Sequence, residues 1–237
     1  LDKWQEKAVN VFKEWDGVHT SESVGASIFE YFYICLVRNT VYDELGEDMY
    51  LKFILDKILV RNLVKNLWSK PESDWWDNVN TKEKKEDFEM IVHKSFKDAL
   101  DSLKLKYGAK PENWHWGLMH TLTLKHPLGK VNILDMGFNL NRGPYPVGGS
   151  YHTVSPYAYD FDNLFEVNHG SSHRHIYSAA NWDESLTIIP TGISGIPSSP
   201  YYCDQTEKFI NNEYHSDYFD ILKVEKDSKF RMTLLPE

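Results

Sequence analysis

The spacing of apolar residues changes near Gly108, and this change limits the folds that the chain can adopt. Before it, apolar side chains recur every three to four residues, as in the set Trp4, Ala8, Val9, Phe12 and Trp15. After Pro111 they alternate with other residues, as at Leu118, Leu122 and Leu124. The first spacing is typical of amphipathic helices and the second of strands. We therefore predict an α+β chain, with a helical region at 1–108 and a strand-rich region at 109–237.

Capping residues and apolar spacing together predict four helices in the first region. The first runs from Trp4 to near Gly17, and the second starts after one of the candidate caps Thr20, Ser21 and Ser23 and ends near Gly46. The third runs from Leu51 to Leu67, and the fourth starts after a cap at Thr81 and is closed by Gly108.

The second region is predicted to contain a few short strands. Their expected limits are 118–125, 173–179, 185–189 and 230–235, with a short helix at 204–211 between the last two. So few strands, with so little helix after them, close a core poorly. We expect their apolar faces to pack on structure supplied by another segment.

Composition excludes several classes of function. The net charge of −9 and the absence of a basic stripe argue against a nucleic-acid partner. No run of 18 apolar residues is present, so no membrane span is predicted. Cys35 and Cys203 form no CxxC pair, which excludes a cysteine-based zinc or redox motif. They are either one disulfide or two buried thiols, and the apolar helical surroundings of Cys35 favour a buried thiol there.

Several motifs occur together in the second half of the chain. They are Trp114-His115-Trp116-Gly117 with His126-Pro127-Leu128-Gly129, the turn Gly143-Pro144-Tyr145-Pro146-Val147-Gly148-Gly149, and the run from Trp182-Asp183-Glu184-Ser185 through Gly192-Ile193-Ser194-Gly195 to Asp204-Gln205. With Glu14-Trp15-Asp16-Gly17 near the start, they closely resemble the penicillin acylase (penicillin amidase) family of N-terminal-nucleophile hydrolases. The pattern departs from the family at four positions: His173, Ser178, Glu184 and Ile193.

The resemblance implies a fold and a reaction. The fold is the C-terminal share of a four-layer αββα sandwich. The reaction is hydrolysis of a linear amide between an acyl group and an amine, in a β-lactam, an acyl homoserine lactone or a similar compound. In the family, an N-terminal serine attacks the carbonyl with its own α-amine as the base, and a backbone N–H and an asparagine stabilise the oxyanion. Members of the family are often exported to the periplasm or the medium.

The family's catalytic groups lie upstream of the motifs matched here, and this chain begins with Leu1. We therefore assign no catalytic, cofactor-binding or metal-ligating residue to it, and no cofactor. We expect a C-terminal fragment that is inert alone. Its expected partner is the remainder of the acylase, which carries the serine. Self-association of the fragment is a further expectation, because an opened sandwich exposes apolar faces.

Other candidate sites have simpler structural interpretations. Gly192-Ile193-Ser194-Gly195 lacks the Gly-x-Ser-x-Gly spacing of a serine-hydrolase elbow and is interpreted as a tight loop. His173 and His175 share one face of a predicted strand, with His169 and the acids Asp160, Asp162 and Glu166 nearby. Without a fixed third ligand, a metal site there is disfavoured. Neither His115, His120 nor His126 fits a compact metal motif, and a hydrogen-bonded core position is predicted for His120.

Three further hypotheses concern charged and aromatic side chains. The pairs Asp160/Asp162 and Asp183/Glu184 are interpreted as loop or strand-end caps rather than acid–base pairs. Arg174, in a strand expected to be buried, should bond a carboxylate or carbonyl groups. The alternative function is a non-catalytic binding module that uses Trp75, Trp76, Trp114 and Trp116 as stacking platforms. A histidine-based metal enzyme is the third possibility.

Overall fold

The computed structural model describes residues 2 to 236, which form a mixed α+β fold. The helices within these residues are α1 (Lys3–Lys13), α2 (Val24–Phe53), α3 (Lys57–Trp68), α4 (Phe88–Tyr107), α5 (Trp116–Met119), α6 (Asn132–Phe138), α7 (Thr206–Ile210) and α8 (Ile221–Asp227). The strands are β1 (Thr121–Leu124), β2 (Arg142–Pro146), β3 (Arg174–Ile176), β4 (Leu186–Ile188) and β5 (His215–Ser216). None of the helices in this part of the chain is long and apolar enough to span a bilayer.

The chain divides into two compact units. The first spans Leu1–Thr123 and Gly143–Gly170, and the second spans Leu124–Arg142 and Ser171–Glu237. The helices α1 to α4 all precede residue 109, as the apolar spacing indicates. A domain boundary at residue 108 stays a prediction.

The first unit is built on the long helix α2 packed against α4. Ser23 caps α2 by accepting a hydrogen bond from Ala26 N at 3.1 Å, as predicted. Apolar side chains from both helices enclose a core with the indole rings of Trp114 and Trp116. The cysteines are free thiols, and burial raises the pKa of Cys35 to about 11. Cys35 is therefore a free thiol, as predicted, but it is half-buried rather than fully buried.

The helix ends differ from the prediction where an aspartate caps a helix. The third helix was expected to span Leu51 to Leu67, but α2 continues to Phe53 after a non-helical residue at Gly46 (φ 66°). Asp56 then accepts hydrogen bonds from the first turn of α3. The fourth helix starts after Asp87, which caps Met90 N at 2.9 Å, rather than after Thr81. In both places cap chemistry, not apolar spacing, determines where the helix begins.

Two strand predictions also need correction. The strand expected at 118–125 starts only at Thr121, because Trp116–Met119 forms a helical turn closed by His120 N on Trp116 O at 2.8 Å. The segment 230–235 is exposed and pairs with no strand within residues 2 to 236. The alternating apolar residues of this segment are therefore not sufficient to form a strand.

The second unit contains a small antiparallel sheet in the order β3–β4–β5. Arg174 lies opposite Ile188 and Ile176 opposite Leu186. Ile188 is fully buried, and Phe209 of α7 is almost so. The strands predicted at 173–179 and 185–189 and the helix at 204–211 are thus present in shorter form.

His120 is a core histidine, as predicted. It has no exposed surface, its ring stacks on Trp116 at 4.5 Å between centroids, and its Nδ1 lies 2.8 Å from the carbonyl oxygen of Phe165. A carbonyl oxygen only accepts, so Nδ1 carries the proton. Burial lowers the pKa of His120 to about 4, against the smaller opposing effect of the Phe165 carbonyl.

This lowered pKa predicts a pH-dependent stability. The unfolded chain binds a proton at His120 below about pH 6.5 while the folded chain does so only near pH 4, so stability falls as the pH falls through this window. The loss should reach about 3 kcal/mol. Urea unfolding from pH 7 to pH 4 should show this slope in the parent and a shallower one in His120→Gln. Equal slopes in the two proteins would contradict the assignment.

Candidate functional site

The first unit encloses a carboxylate, Glu30, in the first third of α2. Glu30 has no exposed surface. His19 Nε2 lies 3.0 Å from its Oε1, and the hydroxyl of Tyr159 donates to its Oε2 at 2.6 Å. Ser150 supplies a further hydrogen bond, and the imidazole of His152 lies close by. This set is named here the Glu30 centre.

Backbone contacts bring the groups of the Glu30 centre together. Gly149 N donates to His19 O at 2.7 Å, and Trp116 Nε1 donates to Gly149 O at 2.8 Å. A Cβ on Gly148 would lie 2.4 Å from His19 O, so only glycine permits this approach. The glycine-rich turn noted in the sequence therefore delivers Ser150 and His152 to the buried carboxylate.

The electrostatics of the centre favour an ionised Glu30. Burial by itself would raise the pKa of this carboxyl. The hydrogen bond with His19, the nearby His152 and the hydrogen bonds from Tyr159 and Ser150 outweigh it, so the pKa lies below its usual range. A carboxylate sealed in this way has no route to a substrate, since the side chain of His19 is also only 6% exposed. The centre is therefore a structural clamp between α2 and the loops that carry its partners.

The sequence analysis missed this centre although a signal was present. Glu30 lies within the apolar stretch from Ile28 to Tyr33, at a position on α2 that faces the core. A charged residue on a buried helix face requires partners. The sequence does not show which partners, because Tyr159 is 129 residues away along the chain.

In the second unit, the loop 192–195 has the predicted structural role. Ser194 Oγ accepts a hydrogen bond from Ile196 N at 3.1 Å, which forms a local turn. Ser194 N donates to Tyr201 O at 3.0 Å. A Cβ on Gly192 would lie 2.1 Å from Tyr201 O, whereas a Cβ on Gly195 would meet open space.

The histidines of the predicted cluster contact other residues of this chain. His173 and His175 lie side by side, with ring centroids 5.4 Å apart. His173 Nε2 is 2.6 Å from Thr187 Oγ1, and His175 Nε2 is 2.9 Å from Asp217 Oδ2. His169 lies in the first unit, where its backbone pairs with Ala158. Within residues 2 to 236, no three histidine, cysteine, aspartate or glutamate side chains are arranged to hold a metal ion.

The other predicted polar residues make structural contacts. Asp183 Oδ1 accepts hydrogen bonds from Phe219 N and Asp220 N, so it is a cap, as interpreted. The guanidinium of Arg174 donates to Phe209 O and to Asn212 Oδ1, which confirms the prediction of carbonyl partners. Arg174 is only half-buried, unlike the expectation.

The remaining acids and histidines are engaged in the same way. The contacts are Asp160 with Lys57 Nζ at 2.6 Å, Glu166 with Asn163 Nδ2 at 3.0 Å, His115 Nδ1 with Glu22 O at 2.9 Å, His126 Nδ1 with Leu128 N at 3.1 Å, and Glu184 with Asn181 Nδ2 at 3.0 Å; Asp162 is exposed.

The prediction that four tryptophans act as stacking platforms in a binding module is wrong for three of them. Trp76, Trp114 and Trp116 are buried, and each indole N–H donates to a backbone carbonyl. Trp75 alone of the four is exposed. Rings enclosed in the core cannot stack on a ligand, so this observation removes the basis for an aromatic binding module.

Replacement of Glu30 by glutamine should weaken the first unit. The amide keeps the shape of the carboxylate but removes the negative charge, which the hydrogen bonds of His19, Tyr159 and Ser150 stabilise. We expect the free energy of unfolding to fall by about 3 kcal/mol. The matched control is Glu47→Gln, an exposed glutamate of α2, which should change stability by less than about 0.5 kcal/mol. Equal effects of the two substitutions in urea unfolding would contradict the clamp.

The two glycines of the 192–195 loop provide a second matched pair. Gly192→Ala places a methyl group against Tyr201 O and should destabilise the second unit by about 2 kcal/mol. Gly195→Ala should leave it unchanged. Limited proteolysis combined with thermal unfolding measures the difference. Tolerance of alanine at 192 would mean that the loop is not packed as described.

Comparisons with known proteins give consistent results. A family model described as "Penicillin amidase" matches residues 1–226. The acyl-homoserine lactone acylase QuiP of Pseudomonas syringae pv. syringae is 28% identical over 236 residues, which is 94% of this chain and 27% of that protein. The QuiP protein of Pseudomonas aeruginosa is 26% identical over 237 residues, covering 94% of this chain and 28% of that protein.

A penicillin acylase and a solved structure are also similar. The penicillin acylase 2 proenzyme of Pseudomonas sp. (strain SE83) is 28% identical over 135 residues, which is 57% of this chain and 17% of that protein. The thermostable penicillin G acylase of Alcaligenes faecalis matches 100% of this chain and 43% of its own chain, with a TM-score of 0.50 and 14% identity, a likeness of fold.

The lengths of these relatives differ from that of this chain. The chain spans about 27% of the length of the QuiP proteins that it matches. The family match nevertheless extends over nearly all of the chain and includes the Glu30 centre and the 192–195 loop. The chain therefore belongs to the penicillin amidase family.

Proposed function

We propose that this chain is the C-terminal portion of an amidase that hydrolyses a linear amide between an acyl group and an amine. The observation that carries the proposal is the family match over residues 1–226. The complete enzyme would use an N-terminal serine on a preceding segment, as the resemblance implies. The chain's short span relative to its acylase relatives supports a partner of this kind.

N-acyl homoserine lactones are the first substrates to test. The acyl-homoserine lactone acylases match 94% of this chain, whereas penicillin acylase 2 matches 57%. Both names describe enzymes that act on an amide with an acyl side chain. A β-lactam such as penicillin G is therefore the comparison substrate.

The proposed contribution of this chain is structural. The Glu30 centre has no exposed carboxylate, and Ser194 is engaged in a local turn. These groups would hold the helical and strand-rich regions in the shape that the family's sandwich needs. The nucleophile, its amine and the oxyanion asparagine would come from the preceding segment, and the chain alone would be inert.

The test compares the complete protein with the chain alone. The complete protein should release homoserine lactone from a long-chain N-acyl homoserine lactone and should do so faster than it cleaves penicillin G. The control is the same protein with alanine in place of the serine that begins the catalytic segment. The purified chain should release neither product. Turnover that stays with the chain through repurification would overturn the proposed division of roles.

A further inference from the structure

One segment of the second unit presents several large apolar side chains to solvent. We call residues 128–138, which include α6, the α6 arm. Five of its six large apolar residues are between 51% and 86% exposed, namely Leu128, Val131, Ile133, Met136 and Phe138, and the sixth, Leu134, is half-buried. Single exposed apolar residues are ordinary, but a contiguous set is characteristic of interaction surfaces.

The interior of the α6 arm is polar. Asp135 Oδ1 accepts hydrogen bonds from Leu140 N at 3.1 Å and from Asn141 N at 2.7 Å. Asn141 Nδ2 donates to Asp135 Oδ2 and to Gly129 O, both at 3.0 Å, and Asn141 Oδ1 accepts from His126 N at 2.8 Å. These polar side chains thus bond the two ends of the arm to each other, while five of its apolar side chains are exposed.

A second set of contacts holds the end of the arm in place. The hydroxyl of Tyr202 donates to Leu140 O at 2.7 Å, and the guanidinium of Arg142 lies 4.7 Å from the centre of the Tyr202 ring. Arg142 also donates to Pro197 O at 3.3 Å. The arm is therefore preorganised, and a preorganised apolar surface binds without the cost of ordering a loop.

We propose that the α6 arm is the docking surface for the preceding segment of the same acylase. The inference rests on the proposed function, in which such a segment exists. Two observations support this occupant. The chain spans only about 27% of the QuiP proteins, so most of an acylase remains to cover the arm. The arm also lies inside residues 1–226, the span that matches the family.

The exposed C-terminal tail is a weaker candidate for the same partner. Phe230, Met232 and Leu234 are as exposed as the arm. They lie beyond residue 226, outside the span that matches the family. Within residues 2 to 236, no network of side-chain hydrogen bonds like that of Asp135 and Asn141 fixes this segment.

A photocrosslinking experiment identifies the occupant. The chain carries a benzophenone amino acid in place of Met136 and is co-expressed with the segment encoded immediately upstream. The control position is Leu105 on α4, which is 91% exposed and has lysine neighbours on both sides. Position 136 should crosslink to the upstream segment and position 105 should not. A crosslink from 136 to a second copy, equal yields at the two positions, or no crosslink would overturn the proposal.

Charged substitutions test the energetics of the same surface. The double variant Ile133→Asp/Met136→Asp should bind the upstream segment at least roughly a hundredfold more weakly than the parent chain. Leu105→Asp should bind as the parent does. Both target side chains are exposed, so the isolated variant should keep the parent's melting temperature. A change in affinity smaller than about threefold would overturn the proposal, and if the variant fails to fold, the crosslinking result decides.

Assaying amide hydrolysis on the same material separates this inference from the proposed function. A complex that forms through the arm but cleaves no amide would remove the proposed function and leave the docking surface. An active complex whose affinity is unchanged by the aspartates would remove the docking surface and leave the function. Failure of the parent chain to bind any upstream segment would remove the docking proposal.

Discussion

The structure of the first unit depends on hydrogen bonds to one buried charge, that of Glu30. An ionised carboxylate without partners is among the most unfavourable groups that a protein interior can hold. The Glu30 centre meets this requirement with donors from far apart in the chain: His19 before α2, and Ser150 and Tyr159 after β2. Because each of these partners stabilises the buried charge, Glu30 couples the position of α2 to the path of the loops that cover it.

The second unit uses polar groups in a different way. Asp135 and Asn141 bond to backbone atoms and to each other, and Asp183 bonds to the backbone before α8. Such local networks fix the shape of a segment without a large apolar core beneath it. They leave apolar side chains such as Ile133 and Met136 on the outside. Exposed apolar side chains of this kind have an unfavourable free energy of hydration, which is removed when another surface covers them.

The parts of this structure that could be predicted are those determined by local chemistry. Gly46 and Gly108 interrupt or end helices where the sequence indicates, and Ser23 caps α2. Arg174 bonds carbonyl groups, one of the two kinds of acceptor predicted for it, although its side chain is half-buried rather than buried. The predicted start of α4 was wrong because Thr81 and Asp87 are both residue types that cap helices, and in the structure Asp87 provides the cap. The tryptophans were misjudged because composition does not distinguish a buried indole from an exposed one.

The Glu30 centre also explains why titratable residues in this chain are poor guides to catalysis. A general acid or base must reach the substrate and exchange its proton in the working pH range. Glu30 stays ionised and enclosed, and burial keeps His120 neutral above about pH 4, so neither can exchange a proton with a substrate at neutral pH. Their shifted pKa values instead reflect the opposing effects of desolvation and of hydrogen bonds on the charged form of each group. A shifted pKa indicates a site only where the group is open to a cleft, and here the most strongly buried groups mark the places where chain segments are held together.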